Sequence, residues 1–188
     1  MSSNLDRARS YEEKVGKQIP DGQKCVFHLT PEVGWMNDPN GFSLYRGEYH
    51  LFYQYHPYSS VWGPMHWGHQ KTRDFIKWEQ LPCALAPDTE YDGQGCFSGS
   101  AVEHEGKHIL MYTGVLDRVE ADGSHTLRQT QCIAVGDGVN YEKLPANPVI
   151  TADALPEGSS GEDFRDPRIW KEGNTFYAAV VSLGADGS

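Results

Sequence analysis

The feature that most constrains this chain is a hairpin that recurs. Residues 42–45 and 49–55 read as two strands joined by a turn at Arg46-Gly47-Glu48. Apolar and aromatic residues fill both runs, and the glycine supplies the turn. Residues 100–102 and 108–112 repeat the pattern around Glu105-Gly106, and residues 167–170 and 175–179 repeat it around Glu172-Gly173. A second element recurs between the hairpins. Trp78-Glu79-Gln80-Leu81-Pro82 returns 63 residues later as Tyr141-Glu142-Lys143-Leu144-Pro145, and Asp74 and Asp137, in the turns before it, keep the same spacing. Two hairpins per sixty-odd residues make a four-stranded unit that cannot bury its faces alone and must stack on its neighbours. The chain is therefore predicted to be all-β, a β-propeller, with residues 25–188 covering two blades and the start of a third. A β-sandwich of similar strand count is the alternative. Residues 1–24 form an N-terminal extension. Within it, residues 4–18 predict a short helix outside the main domain, with Arg7, Glu12, Glu13, Lys14 and Lys17 on its surface.

Composition narrows the function. Aromatic residues make up 12%, and 20 glycines with 11 prolines favour strands and turns over long helices. A formal charge of −10 argues against nucleic acid and anionic membrane surfaces as partners. Cys25, Cys83, Cys96 and Cys132 are scattered, with neither a metal spacing nor a disulfide framework, which points to reduced thiols in a cytoplasmic protein. The polar N-terminus carries no signal peptide, and no stretch reads as a membrane span, so a soluble protein that is not exported is expected.

In a propeller the first strand of each blade lines the central channel. Asp38, Ser98 and Asp166 stand nine, eight and seven residues before their turn glycines, so they are equivalent positions that should converge at the channel mouth. Asn37-Asp38-Pro39-Asn40-Gly41 is strong turn chemistry, with Pro39 fixing its own φ and pushing Asp38 towards extended backbone. Two carboxylates facing one aromatic-rimmed mouth suit glycoside hydrolysis. Asp38, among Asn37, Asn40 and turn amides, is expected to stay ionised as a nucleophile. Asp166 follows Arg165, whose charge should favour the ionised form and suit it to gripping sugar hydroxyls. Trp62, in a Ser-Ser-Val-Trp-Gly-Pro loop, is the best candidate for a site wall. His66 and His69 lack a third metal ligand, and Asp88, Asp92 and Gly95 lack calcium-loop spacing, so neither metal nor cofactor is expected.

Three ordered motifs, Trp35-Met36-Asn37-Asp38-Pro39-Asn40-Gly41, Phe97-Ser98-Gly99-Ser100 and Phe164-Arg165-Asp166-Pro167, resemble glycoside hydrolase family 32, the β-fructofuranosidases. The resemblance runs from about Phe27 to the end of the chain. Its nearest-looking branch is the intracellular bacterial sucrose-6-phosphate hydrolases. It implies a five-bladed propeller followed by a β-sandwich, and retaining hydrolysis of terminal β-fructosides such as sucrose. By motif, Asp38 would be the nucleophile and Asp166 the transition-state stabiliser. Trp35, Met36, Asn37, Gln54, Trp62, Phe97, Ser98 and Arg165 would shape the fructose subsite. The family's acid/base is a glutamate followed by cysteine, whereas the four cysteines here follow Lys24, Pro82, Gly95 and Gln131. The chain is thus expected to be the N-terminal part of such an enzyme and inactive by itself. A truncated, non-catalytic fructoside-binding propeller is the alternative.

Overall fold

The computed structural model describes residues 3–25, 28–184 and 187; Phe27, where the family resemblance begins, and Ser188 lie outside the described residues. After the helix α1 (Ser3–Gly16) the described residues form ten strands. Strands β1 (Trp35–Tyr45), β2 (Glu48–His56), β3 (His66–Thr72) and β4 (Trp78–Leu85) form one antiparallel sheet in sequence order. Strands β5 (Gly95–His104), β6 (Lys107–Val119), β7 (His125–Gly136) and β8 (Tyr141–Lys143) form a second, and β9 (Arg165–Glu172) pairs with β10 (Thr175–Val181). The first strand β1 packs on β5, and β5 packs on β9. This is the radial stacking of propeller blades, with inner strands side by side, and not two layers facing each other.

The predicted repeat is visible in its turns. Asp74 Oδ1 accepts from the amides of Ile76 (2.9 Å) and Lys77 (2.8 Å), and Asp137 Oδ1 accepts from Val139 (2.9 Å) and Asn140 (2.8 Å). Those amides hold both carboxyls below the usual carboxylate range. The strands that follow differ in length. Strand β8 ends at Lys143 because the Asn147 side chain takes over the ladder, accepting from Ile133 N and donating to Ile133 O, each at 2.8 Å.

The core lies between the first two blades. Phe52, Trp67 and Leu85 of one meet Cys96, Leu110, Tyr112 and Tyr141 of the other. Three buried histidines share this layer. His50 Nδ1 lies 2.9 Å from His69 Nε2, and His108 bridges the Ser43 and Tyr141 hydroxyls at 2.9 and 2.8 Å. Burial lowers all three, His108 to about 3.

Helix α1 departs from expectation. It does not sit outside the domain: Leu5 and Ala8 join Val33, Tyr53, Tyr55 and Cys83 in a second core. Glu12, expected on the surface, is buried because β4 is an edge strand with unpaired backbone groups. Glu12 Oε2 accepts from Cys83 N (2.9 Å), and Arg9 Nε donates to Cys83 O (2.9 Å), standing in for a fifth strand. Arg9 also reaches Asn140 Oδ1 (2.8 Å) in the second blade. Burial pushes Glu12 up to about 7 against the opposing Cys83 amide.

Candidate active site

Asp38, Ser98 and Asp166 share one cavity of about 510 Å³ at the head of the three inner strands. Each is delivered by an irregular backbone. The register of β1 against β2 slips between Met36 and Pro39 and again between Asn40 and Ser43, so Asp38 stands in a bulge. Gly41 sits in the second slip at φ 53°, where a Cβ would lie 2.7 Å from the Phe52 ring. The slip between Phe97 and Gly99 presents Ser98 in the same manner. Asp166 sits at φ 60°, a left-handed conformation that Asn and Asp tolerate better than most residues, directly before Pro167.

Hydrogen bonds tie these groups into one arrangement. Ser98 Oγ donates to Asp38 Oδ2 at 3.3 Å. Behind them lies Asn40, 2% exposed. With its amide oriented so that both atoms find partners, Asn40 donates to Ser98 Oγ (3.2 Å) and accepts from Gln54 Nε2 (2.9 Å). On the other side, Asp166 N donates to Thr113 Oγ1 (3.1 Å), Thr113 Oγ1 donates to Gln131 Oε1 (2.9 Å), and Gln131 Nε2 donates to Phe164 O (2.8 Å). Thr113 and Gln131 are both fully buried, and they clamp the backbone on both sides of Arg165. Ser100 fixes the next residues, donating to Pro167 O (2.8 Å) and accepting from Ile169 N (2.7 Å).

The electrostatics correct one expectation. Arg165 does not hold Asp166 low. Its Nη1 binds Asp163 Oδ1 at 2.9 Å, leaving Nε 3.9 Å from Asp166 Oδ2. Partial burial raises Asp166, the guanidinium opposes weakly, and the neighbouring Asp38 charge adds to the rise.

The remaining predicted residues divide. Trp62 is 57% exposed and meets Phe97 edge-on at 6.3 Å, beside Ser98. Trp35 Nε1 donates to Asn37 Oδ1 at 2.7 Å, fixing the amide next to Asp38. Met36, expected to bind substrate, is partly buried and packs against the core beneath α1. Gln54 lies one layer below the cavity, with Nε2 also bonded to Cys96 O at 3.0 Å. The loosely calcium-like Asp88 and Asp92 converge on Lys143, a buried ion pair in place of a cation loop. His66 turns to Pro64 O (2.9 Å) while His69 meets His50, so the two do not combine. Thr113 and Gln131 are the participants that sequence reasoning did not assign, and Asn40, expected beside Asp38, acts on it through Ser98.

The family model for the "Glycosyl hydrolases family 32 N-terminal domain" matches residues 28–187. The chain belongs to glycosyl hydrolase family 32. Among curated relatives, a sucrose-6-phosphate hydrolase of Zymomonas mobilis subsp. mobilis is 45% identical over 179 residues, covering 94% of this chain and 34% of its own length. A raffinose invertase of Escherichia coli is 40% identical, covering 98% of this chain and 38% of its own. Among solved structures, a Bombyx mori GH32 beta-fructofuranosidase matches with a TM-score of 0.82 and 42% identity, covering 96% of this chain and 37% of its own. A mutant of that enzyme has been solved in complex with sucrose. The chain thus spans about a third of the length of the family 32 proteins it matches.

Proposed function

We propose that this chain supplies the nucleophile and the fructose-gripping half of a retaining β-fructofuranosidase. The observation that carries the reading is the shared cavity. Asp38 and Asp166 open into one space, Ser98 donates to Asp38 with the buried Asn40 and Gln54 behind it, and the buried Thr113 and Gln131 hold the backbone at Asp166.

In this reading an Asp38 oxygen attacks the anomeric carbon of a terminal fructosyl unit. The bond from that carbon to the leaving oxygen breaks, and a fructosyl ester forms on Asp38. The Ser98 hydroxyl occupies Oδ2 and leaves Oδ1 for attack. Asp166 accepts from fructose hydroxyls whose bonds tighten as positive charge develops on the ring. Trp62 and Phe97 wall the sugar, with Trp35 and Asn37 holding the strand beside the nucleophile and Arg165 steadying the far side. The leaving oxygen takes its proton from a residue outside these 188, and water then releases fructose. The sucrose complex of the Bombyx mori relative and the names of the bacterial relatives support sucrose or its 6-phosphate as substrate. Residues 1–24 serve as an N-terminal extension whose helix is anchored on the first blade. Three buried free thiols support a cytoplasmic location.

The test compares residues 1–188 with the chain extended to its relatives' length, measuring glucose from sucrose and glucose 6-phosphate from sucrose 6-phosphate. The extended chain is expected to release one or both, and the short chain neither. Equal activity in the short chain would overturn the external-acid reading. Fructoside binding without hydrolysis by the extended chain would mark a non-catalytic propeller.

A further inference from the structure

The loop over residues 57–65, between β2 and β3, carries Trp62 and has two footholds. One is the second blade, where Cys96 N donates to Met65 O at 2.8 Å. The other is Tyr58. Its ring meets His56 and His66 edge-on, each at 5.7 Å. Those histidines grip the loop, since both Nδ1 atoms lie within hydrogen-bond reach of Pro64 O, at 3.3 and 2.9 Å. At Gly63 the backbone lies so close to the His56 imidazole that an added Cβ would come within 2.7 Å of it.

Tyr58 also packs against helix α1. Tyr11 meets it edge-on at 5.1 Å, and the Arg7 guanidinium carbon stands 4.7 Å from its ring centre. The helix is itself fixed on the first blade by Arg9 and Glu12 and by Asn4 Nδ2 donating to Pro87 O at 2.7 Å. A continuous line of packed rings therefore joins α1 to the loop that holds Trp62 against Phe97.

We propose that Arg7 and Tyr11 are positioning residues that act through Tyr58 to set the Trp62 wall of the sugar site. The helix governs substrate affinity and leaves the chemical step alone. This rests on the reading of Trp62 as a wall of that site. Neither Arg7 nor Tyr11 reaches the carboxylates, so their loss changes KM and spares kcat.

The test uses the full-length protein with Arg7→Ala, Arg7→Lys and the double variant Arg7→Ala/Tyr11→Leu, and with Lys14→Ala as an exposed control on the same helix. A cation–π contact of this exposure is worth a factor of about two to five. Arg7→Ala should raise KM for sucrose by that factor at unchanged kcat, the double variant further, and Arg7→Lys should recover most of it. Hydrogen exchange of residues 57–65, measured without substrate, should quicken in step. That readout stands even if the protein hydrolyses nothing. Unchanged exchange over residues 57–65 would overturn the link from helix to loop. Faster exchange there with unaltered KM in an active enzyme would overturn its effect on the site. A uniform quickening across the protein with a lowered Tm would mark a merely structural role.

Discussion

At the residue scale, Asp166 shows how burial and charge compete. Its guanidinium neighbour is adjacent in sequence, and on that ground alone the carboxyl would be held low. The fold gives the guanidinium to Asp163, and desolvation with the Asp38 charge raises Asp166 instead. In the full-length enzyme, Asp166→Asn is the informative change, because asparagine tolerates the φ of 60° and keeps the size of the side chain. It should lower kcat at least a hundredfold, about 2.7 kcal/mol, with little change in KM, as expected of a group whose bonds tighten in the transition state. A loss confined to KM would make Asp166 a ground-state binding residue. The three convergent positions were legible because they stand at nearly constant distance before a turn glycine. The residual drift has causes of its own: β1 carries a second irregularity at Gly41, and Gly173 fills the first turn position where Gly47 and Gly106 fill the second. Thr113 and Gln131 were not legible. They are mid-strand residues whose meeting depends on the register of β6 against β7, which places them directly opposite each other.

At the element scale, α1 was recognisable as a helix from composition, but its role depends on the free edge of β4. A glutamate in a polar run reads as a surface residue until a strand edge offers it an amide. The buried carboxyl has a cost that depends on pH. Its folded pKa, about 7, lies above the usual value of 4.5, so the group's contribution is fully present below about pH 4.5. It is lost as pH rises through 7, by about 3 kcal/mol in total. Glu12→Gln should therefore raise the Tm of the full-length protein at pH 8 and leave it unchanged at pH 4.5. An equal shift at both would show that the proton on Glu12 does not matter. The buried histidines act in the opposite sense. Depressed in the fold, they leave stability intact above about pH 6.5 and withdraw it as the medium becomes more acidic, when the unfolded chain takes up protons that the interior refuses.

At the scale of the whole molecule, the repeat of hairpins made the propeller legible, since period-two strands at sixty-residue intervals have few other ways to bury both faces. Blade number was not legible, because it depends on how many such units stack. Exposed apolar side chains stand at both ends of the stack among the described residues. Phe42, Leu44 and Ile76 are exposed on the first blade, and Phe176, Tyr177 and Val181 on the β9–β10 hairpin. The two site carboxylates lie between those ends, on inner strands that only the stacking of blades brings together. That juxtaposition makes a covalent mechanism through Asp38 the central claim. It is tested most directly by quenching the full-length enzyme in acid during turnover of sucrose, digesting it, and locating the added mass of one anhydrohexose. The account predicts that mass on the peptide containing Asp38 and its absence from the Asp38→Asn protein. A label on any other carboxylate, or undiminished turnover by Asp38→Asn, would contradict it.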